Sequence, residues 1–118
     1  ELSPRGPDYL FVGTCYLTQS HPEKDSTDQL EGPSLPGKVK EDLHHLYNNV
    51  HDNDGDNDDT QTTLHRPPII FAIGGIDEHN CHEPVLSYGA DGVATIRTVM
   101  QASNPSEVVQ CMKSAMTR

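Results

Sequence analysis

The chain has 118 residues, a formal net charge of −10 and 33% hydrophobic residues, a length enough for one small domain. It contains no run of about 18 apolar residues that could span a bilayer and no basic patch interleaved with aromatics, which excludes a membrane span and disfavours nucleic-acid binding. Its three cysteines, Cys15, Cys81 and Cys111, have no paired spacing and read as reduced thiols rather than a disulfide framework.

The N-terminal stretch Glu1 to Pro7 carries no initiator methionine and no leader pattern, and an apolar strand is already under way at Tyr9 to Val12. The chain is therefore expected to be a fragment of a longer one that is not secreted. A loop rich in Ser, Thr, Gln, Gly and Pro follows from Gly13 to Pro36. Val39, Leu43, Leu46, Tyr47 and Val50 then recur at helical spacing, with Ser34 suited to the N-cap and Pro36 to the first turn. His44 and His45 lie on this helix as exposed residues rather than ligands.

Residues 51–66 form an acidic stretch that is expected to be a disordered insertion. Five aspartates fall between His51 and Thr60, and without them the formal charge would be −5. The acidity thus describes an insertion and not a partner. Asp52, Asp54 and Asp56 alternate as in a calcium loop, but the sixth position is Asn57 and the twelfth is Thr63, where such a loop requires Gly and Glu.

The most informative segment is Pro68-Ile-Ile-Phe-Ala-Ile-Gly-Gly-Ile-Asp77, a continuously apolar run stopped by two glycines. It predicts a buried parallel strand, a tight turn, and a helix from Asp77 as N-cap to about Ser87, closed by Gly89 in a left-handed conformation. His79, Cys81 and His82 crowd at its start, but no second spaced pair supports a zinc site, and a solvent-facing helix start is expected. A third strand is predicted from Gly92 to Ile96, then a turn from Arg97 to Gln101. Asn104-Pro-Ser-Glu107 opens a last helix, with Val108, Val109, Met112, Ala115 and Met116 as its core stripe.

Successive βα units with glycine at the strand's carboxyl end point to a phosphate site built from backbone N–H groups, as found after the last two strands of (β/α)8 barrels. Thr18 and Ser20 can donate to one oxyanion, Gly74 and Gly75 offer unshielded amides, and Ile96 and Arg97 stand where a short helix begins. Arg97 can add charge. Together these residues describe a cradle for a phosphomonoester.

Taken together, the motifs resemble those of the thiamine phosphate synthase/TenI family. The family's Val-Gly-Pro-Ile-Phe-Pro-Thr-x-Thr-Lys is similar in register to Val12-Gly-Thr-Cys-Tyr-Leu-Thr-Gln-Ser-His21. Its Ala-Ile-Gly-Gly-Ile stands unchanged at Ala72 to Ile76, and its Gly-Ala-Asp-Gly-Val-Ala at Gly89 to Ala94. The resemblance covers about Asp8 to Met116. It implies an α/β fold comprising strands six to eight, about three βα units, of a TIM (β/α)8 barrel, in one partial domain over residues 8–118. It also implies a transferase: hydroxymethylpyrimidine diphosphate and thiazole phosphate give thiamine phosphate and pyrophosphate. By the same resemblance Thr18, Ser20, Gly74, Gly75, Ile96 and Arg97 hold the thiazole phosphate. The family's lysine for the diphosphate is replaced by His21, with Lys24 as a substitute. Mg2+ is implied as cofactor, with its ligands in a preceding half of the barrel and none assigned on this chain.

Small-molecule substrates, no nucleic acid or membrane partner, a cytoplasmic or plastid setting and compatibility with a homo-oligomer complete these expectations. Alternatives are a TenI-like thiazole tautomerase, against which Thr14 stands where that branch often has histidine, and a noncatalytic phosphate-ligand-binding barrel, for which the His21 and Arg97 departures speak. A further phosphate-binding barrel enzyme would share the Gly-Gly strand but not the Thr-x-Ser loop.

Overall fold

The computed structural model describes residues 6–17, 30–53 and 66–117, with backbone alone at 50–53. Thr18, Ser20, His21, Lys24 and most of the acidic stretch lie outside the described residues. Strands β1 (Tyr9–Val12), β2 (Ile69–Ile73) and β3 (Gly92–Ala94) form one parallel sheet in the order β1-β2-β3. Tyr9 pairs with Ile69 and Phe71 with Gly92, so β2 is central. Its continuous apolar run suits that place, because a parallel strand flanked on both edges buries its helix-covered side, here Ile70 and Ala72, completely.

Helix α1 (Leu35–Asn53) begins where expected, with the Lys38 amide donating to the Ser34 carbonyl. It runs three residues into the stretch read from the sequence as an insertion. Tyr47 is its buried anchor, while Leu46, placed on the apolar face by spacing, is half exposed. His44 and His45 are exposed.

The segment after β2 differs from the continuous helix that the sequence predicts. Residues 78–81 form a turn, and a π-helical turn spans Glu83–Ser87. Pro84 explains the change: it has no amide to donate and its ring cannot continue a regular α ladder. The Glu83 amide instead reaches only to the Asn80 carbonyl at 3.1 Å, and the Ala90 amide closes the segment on the Pro84 carbonyl at 2.9 Å. Gly89, at φ +93°, takes the expected left-handed position.

Strand β3 stops two residues earlier than predicted, because the Thr95 hydroxyl turns to the Ile76 carbonyl and Ile96 leaves the extended conformation, at φ −122° and ψ −61°. Residues read as a turn from Arg97 to Gln101 make one α-helical turn, α2 (Arg97–Met100). The last helix, α3 (Pro105–Ala115), matches its sequence signature: the Asn104 side chain accepts from the Glu107 amide and Pro105 sits in the first turn. Met112 is buried and Val108, Ala115 and Met116 pack beside it, whereas Val109 is exposed.

The helices cover one face of the sheet. Beneath them lie Ile70 and Ala72, both 0% exposed, and a core of Cys15, Ile76, Cys81, Ala90 and Met112. Cys81 is thus a core residue, which corrects the solvent-facing reading; its thiol lies 3.8 Å from the Met112 carbonyl, while His79 and His82 are exposed. The opposite face carries Tyr9, Phe11, Ile69 and Phe71. The Phe11 and Phe71 rings stack at 5.7 Å, and Tyr9 meets Phe11 edge-on at 5.4 Å. Tyr9, Phe11 and Ile69 are about half exposed. Among the described residues no helix is long and apolar enough to cross a membrane.

Asp91 organises the amino-terminal end of the strands. Its Oδ2 accepts from the Ile70 amide at 2.9 Å, its own amide donates to the Ile70 carbonyl, and its Oδ1 accepts from Lys40 Nζ at 2.8 Å. Lys40 also donates to the Gly89 carbonyl at 3.2 Å, tying α1 to the loop before β3. Partial burial works against the Asp91 carboxylate, but Lys40 and the Ile70 amide outweigh it and hold the group below its ordinary range.

Asp91→Ala leaves the amide of a wholly buried residue without its acceptor and is expected to cost about 1–3 kcal/mol of stability. Lys40→Ala removes a pair that is one-third exposed and should cost about 0–1 kcal/mol. Because the folded Asp91 is the more acidic form, its contribution is complete above pH ~4 and is lost as pH falls through its lowered folded value. Urea melts of wild type and Asp91→Asn at neutral and acid pH check this: the gap between them should close on acidification. A second expectation concerns the thiols. Burial pushes Cys15 up to about 11 and raises Cys81 as well, whereas Cys111 is exposed. Titration of the native protein with a dithiobisnitrobenzoate reagent should show Cys111 reacting fast, and Cys15 and Cys81 only on unfolding.

Candidate functional site

Three chain segments meet beyond the carboxyl ends of the strands. The first leaves β1 at Gly13 and is sewn onto the second, the Cys15 amide donating to the Ile73 carbonyl at 3.1 Å and the Tyr16 amide to the Gly74 carbonyl at 2.9 Å. Thr14 is buried, its amide donating to Glu31 Oε2 at 2.7 Å and its carbonyl accepting from the Glu31 and Gly32 amides. The Tyr16 hydroxyl donates to Glu83, which fastens the same loop to the π-helical turn. Burial, then the bond to Glu83, keep that phenol protonated well above its ordinary range.

The second segment is the Gly74-Gly75 turn, with φ +108° and +67°. Glycine is needed here for two separate reasons. Positive φ disfavours any L side chain, and the space is already taken: a Cβ on Gly75 would stand 2.5 Å from the Leu17 carbonyl oxygen and 2.8 Å from that of Tyr16. Among the described residues no acceptor meets the Gly75 amide. The turn is held from beyond by a reciprocal cap that spacing alone could have revealed. Asp77 Oδ1 accepts from the His79 and Asn80 amides, and Asn80 Oδ1 accepts from the Asp77 amide at 2.8 Å. Asn80 Nδ2 also donates to the Gly75 carbonyl at 3.0 Å.

The third segment follows β3. Thr95 and Thr98 both donate their hydroxyls to the Ile76 carbonyl, at 2.9 and 2.7 Å, so the third segment grips the second just past the glycines. Ile96 caps α2 and Arg97 is its first residue; both side chains are exposed.

A cleft of about 230 Å³ lies between the second and third segments, and Gly74, Gly75, Ile96 and Arg97 all line it. Four of the residues singled out from the sequence therefore share one concavity. The other four, Thr18, Ser20, His21 and Lys24, lie outside the described residues. Leu17, which directly precedes Thr18, borders Gly75 through its carbonyl. What the sequence reading missed are the braces: Glu31, Asn80, Thr95 and Thr98. Among the described residues no group of three His, Cys, Asp or Glu side chains could hold a metal ion. Asp77, the acid on the cleft wall, has one carboxylate oxygen engaged by two amides.

Parallel strands in sequential order, helices on one face and a cleft at the carboxyl ends that Gly74 and Gly75 help to line define an α/β unit. Among curated proteins the chain is similar to the thiamine-phosphate synthase of Staphylococcus epidermidis, with 31% identity over 103 residues that cover 87% of this chain and 36% of that protein. It is similar to the thiamine-phosphate synthase of a Nostoc species, with 46% identity over 113 residues, 96% of this chain and 24% of that protein. That of Geobacillus thermodenitrificans is 31% identical over 111 residues, 94% of this chain and 38% of that protein. The chain thus spans 24% to 38% of the length of these curated relatives. No family model and no solved structure matches it. The resemblance seen in the sequence holds over most of the chain, which is similar to a portion of each of these thiamine-phosphate synthases.

Gly75→Ala and Gly89→Ala make a matched pair. Both sites have positive φ, but at Gly89 nothing lies within 4 Å of the added carbon. Gly89→Ala should cost about 1–2 kcal/mol of backbone strain alone. Gly75→Ala should cost measurably more, because Leu17 and Tyr16 must also move. Chemical denaturation of the two variants beside wild type checks the order.

Proposed function

We propose that this chain forms the thiazole-phosphate end of a thiamine phosphate synthase, a transferase. In this reading β1, β2 and β3 are strands six to eight of a TIM (β/α)8 barrel. What supports it is one observation: the glycine turn after β2 and the Ile96–Arg97 turn after β3 line the same cleft, in a chain that is similar to synthases over most of its length. The sheet adds weight. Strand order follows chain order, the helices lie on one face, and the bare face is apolar, as an arc of a barrel would be before its interior is filled from other strands. The named relatives favour the synthase over the tautomerase reading.

The chemistry follows from the residues. A phosphomonoester dianion seated in the cleft would accept from main-chain amides of Gly75 and of the α2 start, which carry no counter-charge to desolvate and need no reorganisation. Gly74, at the same turn, leaves the approach open. Thr18 and Ser20 would supply two hydroxyl donors from the first loop, and Arg97 a cationic one. With the thiazole so anchored, its ring nitrogen is held for attack. The pyrimidine methylene–oxygen bond breaks, pyrophosphate departs with the electron pair, and the nitrogen lone pair forms the new carbon–nitrogen bond. His21 when protonated, or Lys24, would offset charge on the departing pyrophosphate.

Mg2+ is part of the family expectation, but the described residues do not offer it a site. Asp77 is committed to capping, and no step is assigned to a metal through this chain. The substrates of the reading are small molecules, and the setting it implies is cytoplasmic or plastid.

The test uses the full-length protein supplied with hydroxymethylpyrimidine diphosphate and thiazole phosphate, with and without magnesium. Thiamine phosphate should form with stoichiometric release of pyrophosphate. Ser20→Ala and Arg97→Ala should each raise KM for thiazole phosphate about tenfold, the scale of one charge-assisted hydrogen bond, and leave KM for the diphosphate substrate within about twofold. A protein that binds neither substrate would refute the assignment.

A further inference from the structure

The Ile76 carbonyl is the point where the two halves of the cleft are joined, and it is an unusual junction. Ile76 is 3% exposed, follows the glycine turn directly, and accepts from two threonine hydroxyls of the next βα unit at 2.9 and 2.7 Å. The same peptide group is held at its other end, where the Asp77 amide donates to Asn80 Oδ1 at 2.8 Å. One peptide unit is therefore pinned from both sides, and the pin on the α2 side consists of Thr95 and Thr98.

Both threonines also line the cleft, so a direct contact with an anion must be considered. A hydroxyl has one proton, and each of these is spent on Ile76; toward the cleft only lone pairs remain, which an oxyanion would repel. Thr95 and Thr98 flank Ile96 and Arg97 in sequence, so anchoring them fixes the start of α2 relative to Gly75. The distance between the two sets of amide donors is then set by these two bonds.

Resting on the phosphate reading above, we infer that Thr95 and Thr98 are positioning residues. They act through the Ile76 carbonyl to hold the α2 turn at the spacing a phosphomonoester requires, and they set affinity for the phosphate-bearing substrate without touching it.

The experiment compares full-length wild type, Thr98→Val, the Thr95→Val/Thr98→Val double variant and Thr98→Ser. The readouts are KM for each substrate, kcat, and calorimetric Kd for thiazole phosphate. Valine keeps the shape and removes the donor. Losing one such bond should raise Kd and KM for thiazole phosphate about tenfold. The double variant should exceed the single, while KM for the pyrimidine diphosphate and kcat stay within about threefold, a margin below one hydrogen bond. Thr98→Ser keeps a hydroxyl and should return to near wild-type values.

If the valine variants bind thiazole phosphate as wild type does, the inference is overturned while the synthase reading stands. If both KM values rise together, or serine fails to rescue, the threonines serve packing only and the inference is again overturned. A wild type that binds thiazole phosphate yet makes no thiamine phosphate refutes the reaction, and the Kd series still decides the role of the threonines. A wild type without affinity for thiazole phosphate refutes both. Should the double variant fail to fold, Thr98→Val against Thr98→Ser carries the comparison.

Discussion

The main chain of Tyr16 and Leu17 passes over Gly75 at a distance that leaves no room for a methyl group. Everything at the carboxyl end of the sheet depends on that closeness. It lets the Tyr16 amide reach the Gly74 carbonyl, which binds the loop after β1 to the loop after β2. It also requires the bend at two consecutive positive-φ residues, and that bend carries the chain back toward Asp77 and its cap. The cleft is thus a by-product of backbone packed on backbone, with side chains serving chiefly as braces.

The two ends of the sheet are built differently, and chemistry explains the division. At the amino end, Asp91 and Lys40 satisfy strand and helix groups that would otherwise be left over, a purely structural task. At the carboxyl end Asn80 Nδ2 occupies the Gly75 carbonyl and the two threonines occupy that of Ile76, while the Asp77–Asn80 cap takes up the amides of Asp77, His79 and Asn80. Carbonyls already filled on the cleft wall remove acceptors that would repel an anion. In the synthase reading Asp91 is thereby a stability residue, although the motif that contains it runs through β3 to Ala94 at the cleft.

Much of the fold was legible because it rests on local rules. The apolar run before Gly74-Gly75, the Asn104-Pro105 helix start and the terminal Gly89 each act within a few residues, and each stands where the pattern puts it. The misses have a common cause in tertiary context. Pro84 lies inside a periodicity that reads as helical, and only the route of the chain to Ala90 shows why a π turn replaces it. Cys81 sits among polar neighbours in sequence, yet the fold turns it onto Met112. In the cleft, Gly74, Gly75, Ile96 and Arg97 were accessible to motif reasoning. Thr95 and Thr98 were not, because their role depends on a carbonyl some twenty positions earlier in the chain. Asn80 was within reach, since an Asp three residues before an Asn is a recognisable reciprocal pairing of side chains with amides at a tight turn.

The aromatic face made by Tyr9, Phe11 and Phe71 bears on how such a sheet can be handled in solution. β1 and β3 each have a single neighbour among the described strands, so their outer backbone groups meet no strand there. An apolar face bounded by two strand edges without a neighbour among the described strands is a template for sheet extension by another molecule. At high concentration, chains that expose this face should associate through it.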